Sequence, residues 1–61
     1  MLVIVNVGVA LYRPLSRHAT IRTAVEAGSE TEAMLIACQM ASCDARVVMP
    51  VSSEIIDILE I

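Results

Sequence analysis

The sequence predicts an α+β fold, β-β-α-β in chain order, with a three-stranded antiparallel sheet of spatial order 2-1-3 and one helix packed on one face. Three observations lead there. Residues 2 to 12 run without a charge or a proline, with valine or leucine at every second position. A second alternating stretch follows over residues 18 to 27. A Ser-x-x-Glu helix start at Ser29 to Glu32 then separates these two stretches from an aliphatic run at 55 to 61. With 61 residues the chain makes a single small domain, 1–61, near the lower limit for independent folding.

The first strand is Leu2 to Tyr12. Val3, Val5, Val7, Val9 and Leu11 fall at period two and share one face, and β-branching favours the extended chain. The other face carries Leu2, Ile4, Asn6, Gly8, Ala10 and Tyr12, which is also mostly apolar. A strand apolar on both faces belongs at the centre of a sheet or at a subunit interface. Arg13-Pro14-Leu15-Ser16-Arg17 follows as a hairpin connection, because proline suits a turn and not a central strand. In the second strand Ala19, Ile21, Thr23, Val25 and Ala27 face one way, and His18, Thr20, Arg22, Ala24 and Glu26 the other. Side chains on one face must pair odd with odd, which allows Val9 opposite Ile21 and Val5 opposite Val25 across a three-residue loop at 14 to 16.

Ser29 to Glu32 is a capping box: the serine hydroxyl accepts from the Glu32 amide, and the glutamate reaches back. Two glutamates in the first turn suit the helix dipole. The helix runs to Ser42 or Cys43. Its wheel puts Ala33, Met34, Ala37, Cys38, Met40 and Ala41 on one face, with Ile36 near the centre of the polar side and Leu35 at its margin. Asp44-Ala45-Arg46 ends it. Val47 to Met49 is extended, Pro50 stops pairing or marks an edge, and Ser52-Ser53-Glu54 reads as a turn. Residues 55 to 61 form a terminal strand, with a short capped helix as the alternative.

A right-handed crossover through the helix leaves the last strand beside the first, which gives the order 2-1-3. The helix covers the odd face, and Leu2, Ile4 and Ala10 stay uncovered on the other. Composition sharpens this point. Hydrophobic residues make up 57% of the chain, more than so small a domain conceals, so the excess faces another copy. The candidate oligomer contacts are Leu2, Ile4, Ala10, Leu35 and Ile36, the last two because an aliphatic side chain on a polar helix side has no core to enter.

Net charge is −3, from seven acids and four arginines without a lysine, which argues against a general binder of nucleic acid or anionic membrane. No basic leader and no run of about 20 apolar residues is present, so the expectation is a soluble, cytoplasmic protein. Cys38 and Cys43 are too few for a disulfide scaffold or a zinc quartet. Cys38 reads as a small buried hydrophobe and Cys43 as exposed. The carboxylates lack metal-loop spacing. His18 reads as a hairpin residue packing across from Tyr12, without the nucleophile and oxyanion donors of a triad. Catalytic, cofactor and metal sites are therefore not expected, and neither is an enzyme. The one positive concentration, Arg13, Arg17, His18 and Arg22, lies near Tyr12 and Asn6 and makes a nucleic-acid-binding β-ribbon the alternative.

The segment Val25-Glu26-Ala27-Gly28-Ser29-Glu30-Thr31-Glu32-Ala33, with Ile36-Ala37-Cys38-Gln39-Met40-Ala41, Met49-Pro50 and Ser53-Glu54-Ile55, resembles small bacteriophage proteins, especially of actinobacterial phages. That resemblance implies an accessory protein acting by binding, with a host protein as its partner. The leading expectation is a self-associating, dimeric protein-interaction module. An antitoxin-like subunit stabilised by a larger partner is a third reading.

Overall fold

Four elements follow one another in the computed structural model, which describes residues 1–13 and 17–59. They are β1 (Leu2–Leu11), β2 (His18–Glu26), α1 (Glu30–Ser42) and β3 (Val47–Leu59). The sheet has the order β2-β1-β3, with both pairings antiparallel, and α1 lies on one face. The predicted α+β architecture and strand order are those observed.

The alternation in β1 decides which face is inside. Val3, Val5, Val7 and Val9 are each 0% exposed. Above them α1 presents Ala33, Ala37 and Ala41, one residue per turn, all buried. Methyl side chains let the helix backbone approach the valine row closely, so the β-branched methyls fill the interval themselves. Val25, Ala27 and Val47 close the core from the flanking strands. Ser29 starts the helix in an extended conformation, φ −152° and ψ 165°, and its hydroxyl accepts from the Glu32 amide at 3.1 Å. At the other end the Cys43 N–H donates to the Ala41 and Met40 carbonyls.

Three details of the sequence reading change. The β1–β2 register is Val3↔Val25 and Val7↔Ile21, two residues from the predicted Val5–Val25 and Val9–Ile21. A displacement of two keeps each side chain on its face, so parity survives. Leu11 N–H donates to the Arg17 carbonyl at 2.9 Å and Tyr12 N–H to the Arg46 carbonyl at 3.0 Å, the ordinary alternation of a central strand between its two neighbours. His18 sits opposite Ala10 and not opposite Tyr12. The predicted three-residue loop at 14–16 lies outside the described residues.

β3 is one strand without a turn at Ser52-Ser53-Glu54, which pair with Gly8, Val7 and Asn6. The strand reading of 55 to 59 holds over its helical alternative, while 60 and 61 lie outside the described residues. Thirteen residues of β3 accompany the ten of β1, and three register shifts absorb the difference, leaving Ile56, Val51 and Val48 as the extra residues. Pro50 is accommodated opposite Val9, whose backbone groups point toward β2, as those of Leu11 do.

On α1 the two aliphatic neighbours exchange roles. Ile36 is half-buried and packs against the core, whereas Leu35 is 60% exposed. The face defined by Ala33, Ala37 and Ala41 places Leu35 on the far side of the helix and Ile36 at the flank, where a branched side chain folds back onto the sheet. Met40, assigned to the buried face, is half-exposed instead.

The packing of alanine on valine makes substitution costly in both directions. Val5→Ala is expected to lose roughly 2–3 kcal/mol of unfolding free energy, from removed methyls plus the cavity they leave. Ala37→Leu is expected to lose at least about 2 kcal/mol by wedging helix from sheet. Leu35→Ala stays within about 0.5 kcal/mol of the parent. Urea denaturation of the three variants checks the series.

Candidate functional site

The face of the sheet opposite α1 has no covering layer among the described residues. Cross-strand partners share a face, so the register defines it row by row. At one end Leu2 lies between Glu26 and Leu59, followed by Ile4 between Ala24 and Asp57. The central row is Arg22, Asn6 and Glu54; the next is Thr20, Gly8 and Ser52. At the far end Ala10 lies between His18 and Met49. Leu2, Ile4 and Ala10 are half-buried by their lateral neighbours alone, and Leu59 and Met49 are exposed. The face thus carries aliphatic residues on its central strand toward both ends, flanked by Glu26 and Asp57 at one end and His18 at the other, with a polar middle.

Two contacts shape the middle. Arg22 Nε donates to Asn6 Oδ1 at 3.1 Å, which lays the guanidinium over the sheet. Gly8 leaves a depression that the Ser52 side chain fills, since a Cβ at Gly8 would collide with Ser52 Oγ. Of the predicted oligomer contacts, Leu2, Ile4 and Ala10 fall on this face. Leu35 is on the outer side of the helix and Ile36 is part of the core packing, so the five do not make one surface.

The basic residues are also divided. His18 and Arg22 lie on the open face, while Arg13 lines a groove at the hairpin end, on the helix side of the sheet. Arg17 is exposed at the start of β2. The groove exists because 13 helical residues span about 20 Å while ten strand residues span about 33 Å. Its floor is Leu11, Ala19, Ile21 and Val47, its rim Arg13, Asp44 and Arg46, and its volume about 340 Å³. Tyr12 lines a neighbouring cleft with Arg13, Ala45 and Arg46, away from the Arg22–Asn6 contact.

Arg46, which the sequence reading passed over, grips Asp44 with two nitrogens, Nε to Oδ1 at 3.1 Å and Nη2 to Oδ2 at 2.7 Å. The Arg46 amide also donates to Asp44 Oδ1 at 2.8 Å. This is a local turn motif, legible from the Asp-x-Arg spacing once the helix end is fixed. Glu54 was missed because residues 52 to 54 read as a turn; a continuous β3 would have placed it beside Asn6. Cys38 is half-buried, Cys43 exposed, and both are free thiols. Among the described residues no three His, Cys, Asp or Glu side chains gather as metal ligands, and no helix is long and apolar enough to cross a membrane.

The sequence matches no protein-family model, and neither the curated proteins nor the solved structures compared with it give a match.

The Asp44 carboxyl is lowered from its ordinary 3.8 to about 2, first by the side-chain hydrogen bond from Arg46 and then by the Arg46 backbone N–H. A lowered carboxylate stabilises the fold above its ordinary value, and that contribution disappears as pH falls through about 2. NMR titration is expected to find the Asp44 midpoint near 2 and to move it toward 3.8 in Arg46→Ala.

Proposed function

We propose that the chain is a small self-associating protein-interaction module that acts by binding and not by catalysis. The observation that carries this reading is the open sheet face, on which the central strand places Leu2, Ile4 and Ala10 while only the opposite side receives a helix. A solvated antiparallel face ordinarily alternates apolar-in with polar-out, whereas Leu2, Ile4 and Ala10 all point to the uncovered side. The accessible surface, 4166 Å², is close to the roughly 3,900 Å² expected of a folded chain of this mass. One copy is therefore already compact, and its surplus hydrophobic residues lie at the surface.

The face is small. Three strands of this length offer on the order of 450 Å² per copy, at the low end for specific association. The resemblance to actinobacteriophage accessory proteins supports placing this module in a host-cell cytoplasm, with a host or phage protein as a further partner. The nucleic-acid reading receives less support, because Arg13 and Arg22 lie on opposite sides of the sheet.

Sedimentation velocity from about 1 to 300 μM tests the reading. The expected result is a concentration-dependent monomer–dimer equilibrium, shifted to monomer by Ile4→Asp and left in place by Leu35→Ser. A monomer throughout that range overturns it.

A further inference from the structure

Resting on the self-association proposed above, we infer that a second copy docks on the open face with the two-fold axis running along β1, so that Arg22 of each copy meets the partner's Glu54.

The central row carries a cation on one edge strand, an amide on the middle strand and a carboxylate on the other edge strand. Arg22 Nε is engaged by Asn6, while its two terminal nitrogens have no partner among the described residues. Among those residues the one ion pair is Arg46–Asp44, so neither Arg22 nor Glu54 has an ionic partner there. Both are exposed, on edge strands, and face the same way.

Two identical sheets can stack face to face about an in-plane two-fold axis in two ways. With the axis perpendicular to the strands and the faces fully overlapped, β2 covers the partner's β2 and β3 covers the partner's β3. Arg22 then opposes Arg22, and Glu54 opposes Glu54. With the axis parallel to the strands, the edges exchange places: β2 covers the partner's β3, and the central row becomes two opposite-charge contacts around a pair of Asn6 amides. An amide carries donors and an acceptor, so it pairs with its own copy. The neighbouring row follows suit, with Thr20 over the partner's Ser52. Along the axis Leu2 and Ile4 each meet their own copies. Aligned sheets cross at about 30°. About a centre at Asn6, that rotation moves the edge strands by only a few ångström, within reach of arginine and glutamate.

The charge pairs sit at the rim of this interface, where they select the arrangement and steer the encounter while the aliphatic ends supply contact area. In the central row charge favours the axis along the strands over the perpendicular one, while at the Leu2 end that stacking sets Glu26 over the partner's Leu59 and Asp57 over the partner's Ala24.

Sedimentation of the wild-type chain, R22E, E54R and the double variant R22E/E54R decides the matter, with circular dichroism confirming that each variant is folded. Either single reversal is expected to raise Kd roughly tenfold or more, because two attractive contacts become repulsive. The double variant is expected to return to within about threefold of wild type, and an equimolar mixture of the two single variants to form a heterodimer. A wild-type chain that never dimerises overturns both this inference and the reading beneath it. A wild-type dimer whose Kd is unmoved by E54R, or whose double variant stays as weak as the singles, overturns the arrangement alone and leaves self-association through an edge or the helix.

Discussion

The contact between the valine row of β1 and the alanine row of α1 fixes everything else. Four valines without exposure lie beneath three buried alanines, and neither partner has a side chain long enough to bridge a wider gap. The helix is thereby held tightly to one side of the sheet. Its single pass is the only helical cover the topology provides, so satisfying the odd face commits the even face to having none. The bare surface is a consequence of β-β-α-β geometry in a chain of this length, and the residues placed on it are what distinguish it from an ordinary solvated sheet.

The same economy governs the edges. β1 is saturated on both sides, leaving the outer backbone groups of β2 and β3 exposed to pairing by another chain. β3 answers with three bulges, at Ile56, Val51 and Val48, which break the regular spacing an incoming strand would need. β2 stays regular but alternates charged and polar side chains along the open face at His18, Thr20, Arg22 and Glu26. Edge addition at β3 is hindered by geometry. Bulging also explains why Val48 and Val51 are exposed despite being β-branched and apolar: a bulged residue has no directly opposed partner to cover it.

How much of this was legible in the sequence depended on whether a signal was local and periodic. Val3 to Val9 alternate without interruption, and the central strand and its buried face followed directly. Ser29 and Glu32 fixed the helix start, because capping is a contact between residues three apart. The order 2-1-3 followed from handedness once those elements were in place. What failed depended on contacts between distant segments. The hairpin register differs by two residues, a displacement that keeps every side chain on its face, so alternation does not separate Val5–Val25 from Val3–Val25. Pro50 and the serine pair look like breaks to a local reading; they lie within a strand because an edge needs ladder bonds on one side only. Ile36 and Leu35 were exchanged because a wheel drawn from all the apolar positions centres differently from one centred on the three alanines that touch the sheet. Glu54, and with it the charged row, was lost with the misread turn.

The open face has an amphipathic layout of its own, and that layout bears on what it can bind. A uniformly aliphatic face would associate with any apolar surface and in several registers, since contact area carries no directional information. Here Leu2, Ile4 and Leu59 gather at one end beside Glu26 and Asp57, and Ala10 and Met49 at the other beside His18, while Arg22, Asn6 and Glu54 cross the middle. A partner that covered both ends would lie across the central row, where Arg22 and Glu54 at the rim discriminate against a like charge placed opposite them. A partner offering a carboxylate opposite Arg22 and a cation opposite Glu54, about two strand spacings apart, matches that row. The chain supplies that pattern in its own other edge, and this is the physical reason for preferring another copy of itself over an arbitrary hydrophobic surface.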